Sequence, residues 1–195
     1  MLRTLPQTRD YSQLYRLAGI ALFTALTIIS AKIVIPINSP VPITLQVLVV
    51  LLSGMVLGRR DGALSQLAYF ALIAANVPVD AYGNGSSAII RSTGGYLIGF
   101  IPAAYVAGLL VERAGTRLWQ RWLAGIAGVA VIYLCGAFVL KILSPGMTWL
   151  GAWGNGVAPF IVIDIVKALI AAGLTEGGRR ALLMRQNSLE SNLMQ

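Results

Sequence analysis

The chain has 195 residues, 57% of them apolar and only 11% charged, and a mean hydropathy of +0.77. A water-soluble domain carries about 25% charged residues, so this chain cannot cover a wet surface; it reads as an all-α polytopic membrane protein, one integral domain over 1–195, in contact with the lipid bilayer. It has no histidine, a single cysteine (Cys135) and no GxxxxGK[ST] loop, which excludes imidazole metal sites, Ser-His-Asp triads, an intrachain disulfide and a phosphate cradle.

No metal and no cofactor is therefore expected, and any ATP-driven work falls to another subunit. The formal charge of +8 lies in short clusters between apolar runs. It does not form one basic face with interleaved aromatics, so a nucleic-acid partner is not expected.

A spanning helix needs about 20 mostly apolar residues, fewer where it stops inside protein. Six candidates follow one another at 17–35, 45–57, 62–75, 96–111, 123–143 and 157–175. The first has a basic start like a signal peptide, but its run is long and no A-x-A site follows, so it reads as a retained helix. Ala21 and Ala25 on it are small residues four apart, a spacing that lets helix backbones approach closely. They fit internal packing or the docking of a partner membrane protein. The pairs Gly54/Gly58, Gly95/Gly99 and Ala104/Gly108 repeat the spacing and read as packing inside the bundle.

Before the second span, Pro40-Val41-Pro42 fixes an extended approach and Thr44 suits an N-cap. Gln46, one turn into apolar surroundings, needs a hydrogen-bond partner that capping does not supply. The second and third candidates are short and separated only by Gly58-Arg59-Arg60-Asp61; they fit either a tight helical hairpin buried against the other four or helices that each extend a turn into the neighbouring loop. The segment 76–95 is rich in Pro and Gly and reads as a loop. It carries Asn76, Asp80, Asn84 and Arg91, with Tyr96 opening the next helix. Arg91 is the one arginine outside the basic clusters, suited to a carboxylate or to pairing with Asp80. Ser144–Gly156 reads as another loop, and Trp119, Trp122, Trp149 and Trp153 as interfacial aromatics.

Orientation follows from the basic residues. Arg3, Arg9, Arg16, Arg59, Arg60, Arg113, Arg117, Arg121, Arg179, Arg180 and Arg185 fall on one side, against Lys32, Arg91 and Lys141 on the other. That asymmetry predicts both termini in the cytoplasm.

The last span holds Asp164 and Lys167, three residues apart and so on one face. Each charge near the bilayer centre costs at least about 2.5–3.5 kcal/mol. The pair must face a polar cavity, a ligand or each other. It serves either as an ion pair that holds helix register or as a binding site.

The segments SPVPITLQVLVVLLSGMVLGRRDGALSQLAYFAL, TGGYLIGFIPAAYVAGLLVER and PFIVIDIVKALIAAGL resemble the biotin-transporter BioY family, over about 18–173. The resemblance implies a six-helix substrate-binding component (S component) of an energy-coupling factor importer in a prokaryotic cell membrane, not an enzyme. It implies biotin captured at the outer face, and partners consisting of a transmembrane coupling protein and two ATPase subunits. On that resemblance Asp164 accepts a ureido N–H of biotin, while Lys167 and Arg91 face its carbonyl or carboxylate. Tyr96 packs on the bicyclic ring, Gln46 adds a polar contact, Asn76 or Asn84 serves as a ureido partner, and Ala21 and Ala25 become a docking face. The sequence NVPVDAYGNGSSAIIRS departs from the more glycine-rich loop of many members. Alternatives are an S component for another small vitamin, an ion-coupled carrier using Asp164 and Lys167, a membrane-embedded enzyme, and a scaffold that binds no small ligand.

Overall fold

The computed structural model describes residues 12–35, 41–114 and 117–193. Arg3, Arg9 and Pro40 lie outside the described residues. The helices are α1 (Ser12–Ala31), α2 (Gln46–Leu57), α3 (Arg59–Ala74), α4 (Gly94–Ala114), α5 (Leu118–Leu143), α6 (Trp149–Gly156) and α7 (Ile161–Leu193). Two short strands, β1 (Val34–Ile35) and β2 (Ile43–Thr44), pair antiparallel between α1 and α2. Among the described residues, α1, α4 and α5 are long and apolar enough to cross a membrane. Helices α6 and α7 make a fourth such unit if counted as one span bent by 51°.

The helical reading of the chain holds, with several differences in detail. Thr44 lies in β2 and Leu45 takes the N-cap position of α2 without a side-chain bond. The Thr44 hydroxyl instead accepts from the Gln46 N–H at 3.3 Å. Within 76–95, residues Gly85–Ile90 form a 3-10 helix, and the expected loop before the last span contains α6. Its start is fixed by Thr148, whose hydroxyl accepts from the Gly151 N–H at 3.0 Å. The final helix runs far beyond residue 175, and it begins at Ile161, not 157. Lastly, the Trp122 indole N–H donates to the Ile165 carbonyl at 3.3 Å, so it ties α5 to α7 instead of serving only as an interfacial anchor.

Small residues set how the helices cross. A Cβ on Gly54 would meet the carbonyl oxygen of Ala104, one on Gly62 would lie 2.6 Å from the Cα of Gly54, and one on Gly108 2.7 Å from the Gly54 oxygen. Helices α2, α3 and α4 therefore touch backbone to backbone, where any larger side chain would push them apart. Gly95 and Gly99 pack on Cys135 of α5 in the same way. The α2–α3 turn is closed by Gly58, whose φ of 85° is the left-handed geometry that glycine alone adopts without a steric cost.

With no water in hydrocarbon, buried polar groups must satisfy one another. Helix α1 is tied to α3 by the Thr24 hydroxyl, which donates to the Ser65 carbonyl at 3.0 Å. The Gln66 amide donates to the hydroxyls of Thr27 and Ser53, both at 3.2 Å, and so joins α1, α2 and α3. The outer surface is apolar: Leu134, Phe138 and Ile142 form an exposed stripe along α5.

The two ends of the bundle differ in chemistry. At one end, arginines meet acids. Arg16 donates two hydrogen bonds, of 2.9 and 2.7 Å, to the buried carboxylate of Asp61. Arg59 pairs with Glu112 at 3.4 Å, and buried Glu176 accepts from Arg179 and Arg180 while pairing with buried Arg121. The other end carries the β1–β2 pair, the 3-10 helix and the α6–α7 bend.

Candidate functional site

At that second end lies a cavity of about 650 Å3 of empty space, mouth included. Ligand pockets are mostly apolar with a few placed polar groups, and this one has that make-up. Its apolar walls come from Val41, Ile43, Leu97, Phe100, Ile132 and Phe160, its polar groups from Thr44, Gln46, Asp80, Tyr82, Tyr96, Tyr133, Asp164 and Lys167.

The polar centre is built from α7. Because this helix begins only at Ile161, Asp164 sits in its first turn, where unpaired backbone N–H groups and the helix dipole favour a carboxylate. The pair is thus nearer a helix end than a continuous span from 157 would put it. Asp164 and Lys167 are both buried. One Asp164 oxygen accepts from Lys167 Nζ at 2.7 Å and the other from the Tyr133 hydroxyl at 2.8 Å. Lys167 Nζ donates a second bond to the Thr44 carbonyl at 2.8 Å, which fastens α7 to β2.

Part of this capacity is still open. An ammonium has three donors and a carboxylate about four acceptor sites. The bonds just described use two of the lysine donors and two of the carboxylate sites. One donor and about two acceptor sites remain at the wall of the cavity, so a guest with both N–H and C=O groups could use them without breaking the pair.

Gln46, buried at the start of α2, finds the partner that the sequence demanded. Its amide donates to the Tyr69 hydroxyl at 2.9 Å, and the Thr44 hydroxyl donates to its oxygen at 3.1 Å. Tyr69 in turn donates to the Val79 carbonyl at 3.4 Å. Tyr96 lines the cavity while its hydroxyl donates to the Gly156 carbonyl at 2.7 Å, so its ring is held as a fixed wall against the end of α6.

Four of the residues singled out in the sequence meet at this cavity: Gln46, Tyr96, Asp164 and Lys167. Arg91, Asn76 and Asn84 do not line it. Arg91 is exposed just after the 3-10 helix. The Asn76 side-chain oxygen accepts from the Ser86 N–H at 3.2 Å and from the Ser86 hydroxyl at 3.0 Å, and the Asn84 amide donates to Asp80 at 3.4 Å. These asparagines shape the loop, and Asp80 is its centre. It is buried, accepts from the Gly85 N–H at 2.8 Å and the Tyr82 N–H at 3.2 Å, and is not paired with Arg91. Ala21 and Ala25 lie in the middle of α1, do not line the cavity and are both exposed.

Tyr133 and the Thr44 carbonyl were missed in the sequence. A phenol inside an apolar run must find a partner, which was the available signal for Tyr133. A backbone carbonyl gives none.

The comparisons with known proteins agree with this picture. The description "BioY family" fits residues 5–184. The chain is 42% identical over 156 residues to the biotin transporter BioY of Thermotoga maritima, covering 80% of this chain and 89% of that protein. It is 39% identical over 183 residues to the biotin transporter BioY of Rhodobacter capsulatus, covering 85% and 96%. A crystal structure of the S-component for biotin from an ECF-type ABC transporter superposes with a TM-score of 0.81 at 25% identity, over 89% of this chain and 95% of that one. With nearly the whole chain matched, this protein belongs to the BioY family.

Proposed function

We propose that the chain is the biotin-capturing S component of an ECF-type vitamin importer, a multi-pass protein of a prokaryotic cell membrane. The observation that carries this reading is the buried Asp164–Lys167–Tyr133 centre on a largely apolar cavity, in a chain whose relatives are named biotin transporters. Biotin offers two ureido N–H donors, a carbonyl, an apolar thiophane ring and a carboxylate tail. Asp164 takes a ureido N–H and Lys167 the ureido carbonyl. Tyr96, Phe100 and Phe160 hold the ring, and Gln46 gives a further polar contact. The tail points to the mouth, where exposed Arg91 supplies positive charge, and Asn76 and Asn84 support the loop that frames it.

Six crossings complete the reading, with α2 and α3 as two short spans and α6–α7 as one. Both termini then lie with the arginine-rich end in the cytoplasm, and the cavity faces outward. Release to the cytoplasm is driven by a transmembrane coupling protein and two ATPase subunits, which dock on α1 at Ala21 and Ala25. Titration of biotin into the detergent-solubilised protein tests the reading. Saturable binding is expected, and Asp164→Ala should abolish it while the protein still inserts and runs as one species in size exclusion. Unchanged affinity in that variant would refute the role of Asp164.

A further inference from the structure

Among the described residues, a stretch of the cavity lining is fastened to α1 by a single side chain. Asp80, Ala81 and Tyr82 line the cavity. Lys32, immediately after the last residue of α1, donates from Nζ to the Pro78 carbonyl at 2.9 Å and to the Asp80 carbonyl at 2.6 Å. Val79, between them, accepts the Tyr69 hydroxyl bond at 3.4 Å. Lys32 is exposed and makes no part of the cavity wall, so nothing in its position answers to contact with a ligand. Its ammonium acts on backbone alone.

The same end of α1 leads within three residues into β1, whose partner β2 carries Ile43 and Thr44, which also line the cavity. Helix α1 is thus joined to one part of the lining through β1 and to another by Lys32. We infer that Lys32 is a positioning residue that latches the 78–82 segment shut over the cavity and makes the opening of that segment follow the end of α1. The latch concerns entry and exit at the biotin site, and so rests on the function proposed above, but its mechanical part can be read without any ligand.

A latch acts equally on the empty and the filled site. Removing it raises the open fraction in both, so association and dissociation accelerate together and the dissociation constant stays nearly fixed. Damage to the binding surface, by contrast, raises the dissociation rate alone. Lys32→Met keeps the length of the side chain and removes its donors, and Lys32→Arg restores them. In a Cys135→Ala background carrying Leu97→Cys, at a buried position of the cavity wall, labelling by a water-soluble maleimide reports opening without biotin. Lys32→Met should label about tenfold faster, the equivalent of ~1.4 kcal/mol, and Lys32→Arg should return to the parent rate. With biotin, stopped-flow rates for Lys32→Met should rise together by about the same factor. Labelling unchanged in Lys32→Met, or a faster dissociation with association unaltered, overturns the latch. If the unsubstituted protein fails to bind biotin, the ligand assignment falls while the labelling rates still decide the latch.

Discussion

Asp164 and Lys167 are each expensive in hydrocarbon and each cheaper for having the other 2.7 Å away. A pair at that distance is not spent, because neither group has used all its hydrogen-bonding sites. Tyr133 sharpens the arrangement, since its hydroxyl fixes the second carboxylate oxygen at 2.8 Å and so limits which way the open acceptor sites point. A hydrogen bond to a charged group is worth about 1.5–3 kcal/mol. Tyr133→Phe should therefore lower thermal stability by about that amount and, by leaving the second carboxylate oxygen unfixed, weaken biotin binding by roughly tenfold, read by titration. The two charges were legible in the sequence because charge inside an apolar run demands an explanation. Tyr133 was not, because aromatic residues in membrane helices have other uses. Arg91, Asn76 and Asn84 were drawn into the site by their chemistry alone. The loop geometry that turns the asparagines onto Ser86 and Asp80 depends on turns in which Asn76, Gly83 and Gly85 have positive φ, and residue type does not announce that.

At the scale of elements, the break between α6 and α7 does the most for the site. It ends one helix against Tyr96 and starts the next three residues before Asp164, so a helix N-terminus faces the cavity. The existence of most helices was readable from apolar runs, but α6 was hidden because its sequence, WLGAWGNG, carries three glycines and resembles a loop. Its capping threonine was the missed signal. Helix α1 was legible, but it runs Ser12–Ala31, and Val34–Ile35 of the expected 17–35 span form a strand because the chain there pairs with Ile43–Thr44. On its outward face Ala21 and Ala25 are exposed beside Leu22, Leu26 and Ile29. Small residues flanked by large apolar ones make a shallow groove that a second helix can enter. Ala21→Trp with Ala25→Trp should leave biotin affinity of the isolated protein unchanged and reduce ATP-driven uptake in reconstituted vesicles at least tenfold, about 1.4 kcal/mol of docking. Loss of both activities together would assign this face to internal packing.

Across the whole molecule, stability rests on backbone contact among α2, α3 and α4 at one level and on ion pairs at the arginine-rich end at another. Gly54→Val would drive a side chain into the Ala104 carbonyl. Overpacking of this kind costs about 1–3 kcal/mol, so the variant should lower the thermal midpoint of the detergent-solubilised protein and reduce its yield. The separation of chemistry between the two ends was already visible in the distribution of arginines; that Arg16, Arg59 and Arg121 would each find an acid on another helix was not, since such pairing depends on the packing of distant segments.

The charge balance of the centre has a further effect on the transport cycle. An anionic guest that leaves strands no bare ammonium and no bare carboxylate, because lysine and aspartate neutralise each other and the phenol and the Thr44 carbonyl give each of them one further partner. The vacated site therefore needs no proton or sodium ion to balance its charge.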